Sequence, residues 1–269
     1  VVRVNTGGPV PEGADAVVQV EDTELLATTE VADGAKEESR IRVNSKVAPG
    51  HDIRPIGCDM QPGGVAVKAG AVMNAPEIGL ALSVGARRVS VLQKPTVAVI
   101  STGDELSDEI TSSGAPPEGK IYDSNRGMLL AAAAENASKV VDGGIARDNM
   151  ADTRRVLEKA FEAADVIIST GGVSMGEVDC VKRCLIDMGA EIHFGRVNMK
   201  PGKPTTFATL NGKIFFALPG NPVSAMVCFH VFATPAVRKL RGVAPLGLPT
   251  VKATVSHDVR LDRERPEYH

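Results

Sequence analysis

Aromatic side chains are scarce: no tryptophan, two tyrosines and seven phenylalanines among 269 residues. The stacking platforms that hold single-stranded nucleic acid are therefore missing. An excess of charge of either sign is missing too, since 30 Lys and Arg against 33 Asp and Glu leave a net charge of −3. Such a chain has no general attraction for a polyanion, and no nucleic-acid partner is expected. No run of eighteen apolar residues occurs, so no transmembrane helix is expected. The opening "VVRVNTGGPVPEG" lacks a basic segment leading into an apolar core and does not read as a signal peptide.

Cysteine is also rare: Cys58, Cys180, Cys184 and Cys228. Cys180 and Cys184 stand four apart, which does not match a C-x-x-C metal or redox site. Buried, reduced thiols and a cytoplasmic location are the expectation.

What the chain has in quantity is glycine and proline, 27 and 17 residues, and they divide it into two textures near Lys94-Pro95. Before that point short β-like runs, "ADAVVQVED", "RIRVNSKV" and "GGVAVKAG", are joined by turns such as "APGHD" and "QPGG". The acidic stretch 28–39 reads as a solvated loop. "APEIGLALSVGA" (75–86) reads as a helix with Pro76 in its first turn.

After Pro95 strands and helices alternate. "PTVAVIS", "KVVDGGIA" and "DVIIST" are strands; "SNRGMLLAAAAENA", "MADTRRVLEKAFEAA" and "EVDCVKRCLIDMG" are helices. "TTFATL-NG-KIFFAL" is a hairpin with an Asn-Gly turn. "NPVSAMVCFHVFATPAVRKL" is a long helix with a bend expected at Pro235. The fold class is thus α/β: a three-layer α/β/α domain with a largely parallel sheet (94–242), preceded by a β-rich region (1–93). Residues 243–269, with one expected strand in "TVKATVSHDV", read as the start of a further β domain that is cut off. The chain reads as a fragment.

Four turns fall at expected strand ends: "STGDEL" (101–106), "STGGVSMGEVD" (169–179), "MKPGKP" (199–204) and "ALPGNPVSA" (217–225). In a parallel sheet such turns converge on one edge. Their carboxylates, Asp104, Glu105 and Asp179 with Asp148, suit Mg²⁺ beside substrate phosphates. Their cations, Lys200 and Lys203 with Arg196, suit an oxyanion. The amides of Gly171, Gly172, Ser174 and Gly176 are neutral donors for the same anion. Asp104 and Glu177 read equally well as caps of the following helices. His193, in a strand, and His230, on an apolar helix, read as core or interface residues. In "DSNR", Asp123 or Ser124 reads as a helix cap, with Asn125 and Arg126 able to face the same edge.

Taken in order, "TGGPVPEGADAVVQVED", "GHDIRPIGCDM", "STGDEL", "DSNR", "STGGVSMGEVD", "FGRVNMKPGKPTTFA", "ALPGNPVSA" and "RPEYH" resemble the MoeA-type molybdopterin molybdotransferases. Among these the chain is similar to the E domains of the gephyrin and plant Cnx type. The resemblance implies molybdenum cofactor biosynthesis: an enzyme that takes adenylylated molybdopterin and molybdate, with Mg²⁺-dependent release of AMP. It implies Asp179 as the main metal ligand, Glu105 as a second carboxylate, and Asp148 as a further acidic residue of the site. Lys200, Lys203 and Arg196 would bind phosphates and molybdate. Pro219, Asn221, Pro222 and Ser224 would shape the pterin and anion pocket. Thr6 would reach the site of a partner subunit in a homodimer. The alternatives are a molybdopterin adenylyltransferase, itself a possible fused domain or partner, and a receptor scaffold of the gephyrin kind.

Overall fold

Regular structure begins where the sequence pattern predicts a loop. Thr23–Glu30 (β1) and Lys36–Val43 (β2) pair antiparallel, with Glu24 opposite Arg42 and Glu30 opposite Lys36. Residues 28–30 and 36–39 of the expected loop are thus paired strand. Both faces of the ribbon are largely exposed, so no hydrophobic alternation marks it in the sequence. Cross-strand charge contributes instead, as where Arg42 donates to Glu24 at 2.6 Å. The strands expected in "ADAVVQVED" and "GGVAVKAG" do not form. The first ends in a 3₁₀ turn at Val20–Asp22, and its main chain bonds irregularly to 50–51, Val17 N–H to His51 O at 2.9 Å and Gly50 N–H to Asp15 O at 2.7 Å.

The computed structural model describes residues 1–30, 34–172 and 180–268. The chain divides into two units, Val1–Lys68 and Ala69–His269. In the second, Ala75–Ser83 (α1) starts where the Asn74 N–H donates to the Glu77 carboxylate at 3.0 Å. There follow Thr96–Thr102 (β3), Leu106–Ser107 (β4), Ile121–Tyr122 (β5), Ser124–Ala134 (α2), Lys139–Ala146 (β6), Met150–Ala163 (α3) and Val166–Thr170 (β7). Cys180–Asp187 (α4), Glu191–Phe194 (β8), Thr206–Leu210 (β9), Lys213–Leu218 (β10), Pro222–Cys228 (α5) and Thr234–Leu240 (α6) complete it.

Six strands form one sheet in the order β6-β3-β7-β10-β9-β8. The first four run parallel, and β9 is reversed against β10. The reversal is made by Asn211 and Gly212, both at positive φ, the two-residue turn that matches strand twist. Alternate strand residues feed two cores. Ala98, Ile100, Ile167 and Phe215 pack under α3 and α4, while Val97, Val99, Val166, Ile168 and Phe216 pack under α2, α5 and α6. The result is the expected three-layer arrangement.

Two local departures have clear causes. Strand β6 carries an extra residue at its glycine pair: Val99 faces Asp142, but Ser101 faces Ile145. A Cβ on Gly143 would lie 2.2 Å from Ile100 Cγ2, so only glycine lets the bulge sit against β3. The expected long helix is interrupted by a π-helical turn at Phe229–Ala233, between α5 and α6. Pro235 has no N–H to continue the ladder, and the wider turn before it absorbs the break.

The strand expected at 250–259 is absent, since no neighbour pairs with it among the described residues. Instead residues 262–268 lie along 198–200: Lys200 N–H donates to Pro266 O at 2.9 Å, and Tyr268 N–H to Lys200 O at 2.8 Å. Three cysteines are buried and free as expected, whereas Cys58, in a turn of the small unit, is exposed. His193 is exposed rather than buried, with its ring stacked on Phe207 at 5.0 Å. No described helix is long and apolar enough to cross a membrane.

Candidate functional site

Strands β3 and β7 both end in Ser-Thr followed by glycine. They are neighbours in the sheet, and the chain leaves β3 toward β6 but returns past it to β7. Their C-terminal ends therefore flank the point where strand order reverses, the place where open α/β sheets bind ligands. A crevice of about 100 Å³ lies there, lined by Thr102, Glu105, Asp123, Asn125, Thr170 and Gly171 among others.

Glycine is required at its floor. Gly171 has φ +83°, and a Cβ on it would stand 2.4 Å from Thr102 O. On Gly172, at φ +65°, a Cβ would stand 2.4 Å from Thr102 Oγ1. The bare backbone after β7 thus serves close approach to the end of β3. Hydroxyls lock the strand ends: Thr102 Oγ1 donates to Thr170 O at 3.3 Å, and Thr170 Oγ1 to Pro219 O at 3.1 Å. Asn125 Nδ2 donates to Thr170 Oγ1 at 2.9 Å and to Gly220 O at 2.7 Å.

One wall is a flap, 103–122, carrying Glu105. Its short parallel pair β4–β5 is held by the Arg126–Asp108 ion pair and by Arg147 Nη1 donating to Leu106 O at 3.4 Å. The Glu105 carboxylate folds back over Gly103, where a Cβ would collide with it. Asp104 and Asp148 cap each other: Asp104 N–H donates to the Asp148 carboxylate at 3.1 Å, and Asp148 N–H to Asp104 Oδ1 at 3.3 Å. Burial lowers the pKa of the Arg126 guanidinium, but Asp108, Asp142 and Asp123 outweigh that and raise it. Asp123 fills the N-cap position of α2, accepting from Arg126 N–H at 3.2 Å and from Ser101 Oγ at 3.0 Å.

Glu105, Gly171 and Pro222 come together on the crevice, and Asp148 is joined to its flap through Asp104. Pro219 is buried behind it as the acceptor for Thr170. Asn221 is engaged as the N-cap of α5, with Ser224 N–H donating to its Oδ1 at 3.2 Å. Arg196, Lys200 and Lys203 do not line the crevice. Lys200 is ion-paired to Glu267 at 2.8 Å, with Asp262 at 3.6 Å; the Glu267 hydrogen bond is the main cause of its raised pKa. Lys203 and Arg196 are exposed. Ser174, Gly176, Glu177 and Asp179 lie outside the described residues, and Thr6 lies in an exposed turn of the small unit. Sequence reasoning missed Thr102, Thr170 and Ser101, whose signal was the Ser-Thr pair closing two apolar strands.

The doubly wound sheet and the crevice at its switch point define an α/β ligand-binding domain. Residues 98–239 match the family model described as "probable molybdopterin binding domain", and residues 1–85 match "MoeA N-terminal region (domain I and II)". The chain belongs to the family of the molybdopterin binding domain. It is 40% identical to the molybdenum cofactor synthesis protein cinnamon of Drosophila melanogaster, over 99% of this chain and 43% of that protein. It is 35% identical to a molybdopterin molybdenumtransferase of a Nostoc species, over 99% of this chain and 59% of that protein. A molybdopterin biosynthesis MoeA protein from Pyrococcus horikoshii superposes with a TM-score of 0.63 at 28% identity, covering 90% of this chain and 55% of that one. The chain spans about half the length of the curated relatives it matches, from 40% to 59%.

Proposed function

We propose that the chain is the ligand-binding part of a molybdopterin molybdotransferase: it holds adenylylated molybdopterin, receives molybdate and releases AMP. One observation carries the reading. A match to the MoeA N-terminal region over 1–85 precedes, in the same chain, a match to the molybdopterin binding domain over 98–239. An adenylyltransferase on the same α/β fold would not call for the leading region. The proposed domain limits are 1–93, 94–242 and 243–269, and a cytoplasmic homodimer belongs to the same proposal.

Glu105 offers an exposed carboxylate at the crevice, while no group of three metal-ligating side chains gathers among the described residues. That donor set suits magnesium, which takes one or two carboxylates and completes its shell with phosphate and water. Glu105 and Asp179 would hold the ion. Bound there, it would neutralise charge developing on the departing AMP. The chain's own groups do the rest. The amide of Gly172, with those of Ser174 and Gly176, orients the phosphate, while the Gly171 N–H donates to Leu218 O at 3.2 Å and holds the start of the loop to β10. Arg196, Lys200 and Lys203 supply countercharge for phosphate and molybdate. Asp148 fixes the turn that carries Glu105. Thr6, Pro219, Asn221, Pro222 and Ser224 are assigned to ligand binding on the resemblance.

The test is AMP release from adenylylated molybdopterin, with and without molybdate, by the full-length protein. Molybdate-stimulated release is expected, and Glu105→Gln should slow it on the order of a hundredfold. A full-length protein that releases no AMP under these conditions would sink the reading.

A further inference from the structure

A guanidinium buried inside a protein has to be paired, because its desolvation is costly. Arg126 of α2 is 7% exposed and stands among three carboxylates, from the flap, from β6 and from the start of its own helix. Asp108 of the flap accepts from its Nη2. Asp142 Oδ1 of β6 is 3.2 Å from its Nε, and Asp123 Oδ2, at the N-cap of α2, is 3.5 Å from the same nitrogen. One carboxylate would neutralise the charge. Three, arriving from three directions, fix the plane of the rigid fork.

The bulge in β6 supplies Asp142. Its extra residue lies at Gly143-Gly144, and the Gly144 N–H donates at 2.9 Å to Asp142 Oδ1, the oxygen that faces Arg126. Bulges beside a site commonly re-aim a side chain. Arg126 reaches the bulge itself: a Cβ on Gly144 would stand 3.9 Å from its Nη1. That nitrogen is buried without a hydrogen-bond partner, so the arrangement does not maximise the bonds of Arg126. It ties three elements together instead. The flap needs the tie, because the pair β4–β5 is two residues a side, too short to hold itself. Asp148 and Arg147 hold its root at Asp104. Glu105 follows, its carbonyl accepting from Ile121 N–H at 2.8 Å, and Asp123 N–H closes on Ser107 O at 3.3 Å. Asp108 comes directly after β4, and there Arg126 takes hold.

We propose that Arg126 is a positioning residue: set by Asp123 and by Asp142 of the bulge, it holds the flap through Asp108 and so keeps the Glu105 carboxylate at the crevice. It acts through Glu105 rather than on the substrate. A lysine in its place would bring the charge as a single point and lose the fork that meets three carboxylates at once. The inference rests on the molybdotransferase reading for what Glu105 does there.

The test uses the full-length protein. Asp108→Ala cuts the tie at a side chain that is 55% exposed, where water replaces the lost partner and the fold should survive. Amide hydrogen exchange should quicken on the order of tenfold at Ile121 and Asp123, whose N–H groups close the flap, and stay unchanged in β3 and β7. The kcat for AMP release should fall on the order of tenfold with KM little altered, the mark of a misplaced reacting group. Added to Glu105→Gln, the same change should cost less than about twofold, because the group it positions is already gone. Arg126→Lys should repeat the pattern, and normal exchange and turnover in that variant would show that charge alone suffices. If it does not fold, Asp108→Ala decides. Unchanged exchange at Ile121 and Asp123, or a loss that adds in full to that of Glu105→Gln, would overturn the proposal and leave the molybdotransferase reading intact. If the unaltered protein releases no AMP, that reading falls, and exchange alone decides whether Arg126 holds the flap.

Discussion

Gly171 shows how the site depends on single residues. Its backbone is in the left-handed region, and the space a side chain would need is taken by the Thr102 carbonyl. Gly171→Ala should therefore destabilise the protein by about 1–3 kcal/mol, through strain at φ and separation of the two strand ends. Denaturant unfolding measures it, and an unchanged midpoint contradicts the packing argument. The glycine pair itself was legible, since bare backbone after a β-branched run has few other uses. Its contact was not: Thr102 lies on another strand, and only the sheet order brings them together. Asn125 is similar. From sequence it is the residue after a cap; its bonds to Thr170 and Gly220 exist only in the assembled fold.

The elements divide by how they satisfy their backbone. Those buried on both faces, such as β3, β7 and β10, were legible as short apolar runs bounded by turn residues. Phe215 belongs to that pattern, fully buried on β10 and stacked on Phe161 at 6.0 Å. Phe215→Ala should cost about 3–5 kcal/mol in chemical denaturation; a loss below about 1 kcal/mol would mean that the core closes over the gap. Strands β1 and β2 hide because they bury nothing, and the expected strand at 250–259 fails for want of a neighbour. The segment 262–268 is held by charge. Backbone N–H groups, Glu264 first, keep the Asp262 carboxyl down at about 2, against 3.8 for an unperturbed group. A depressed carboxyl stabilises above its unfolded value and loses that contribution as the pH falls through the folded one. Lys200 is shifted upward from 10.5, so its tie to Glu267 is fully present below that pH and lost only as the pH rises through the raised value. The turn at 262–265 should thus persist into acid, and the Lys200–Glu267 pair into strongly alkaline pH. A carbon-13 titration of the Asp262 carboxyl should give an inflection near 2, and one at the ordinary carboxylate value would show the turn at 262–265 to be absent.

At the scale of the whole molecule, the alternation after Pro95 was enough to give the three layers and the edge at which the turns gather. The ordered motifs were enough to give the family. The contacts along that edge were not legible, because a Ser-Thr-Gly turn reads the same whether or not another strand end packs against its glycines. The central claim is that the strand-end turns of this chain bind the nucleotide part of the substrate with a divalent ion. Titration calorimetry of AMP into the protein, with and without Mg²⁺, tests it most directly, repeated with Glu105→Gln and Lys203→Ala. The account predicts binding that requires Mg²⁺ and weakens on the order of tenfold in each variant, the loss expected for one charge-assisted contact. Folded protein that binds AMP equally well without the metal, or in both variants, would contradict it.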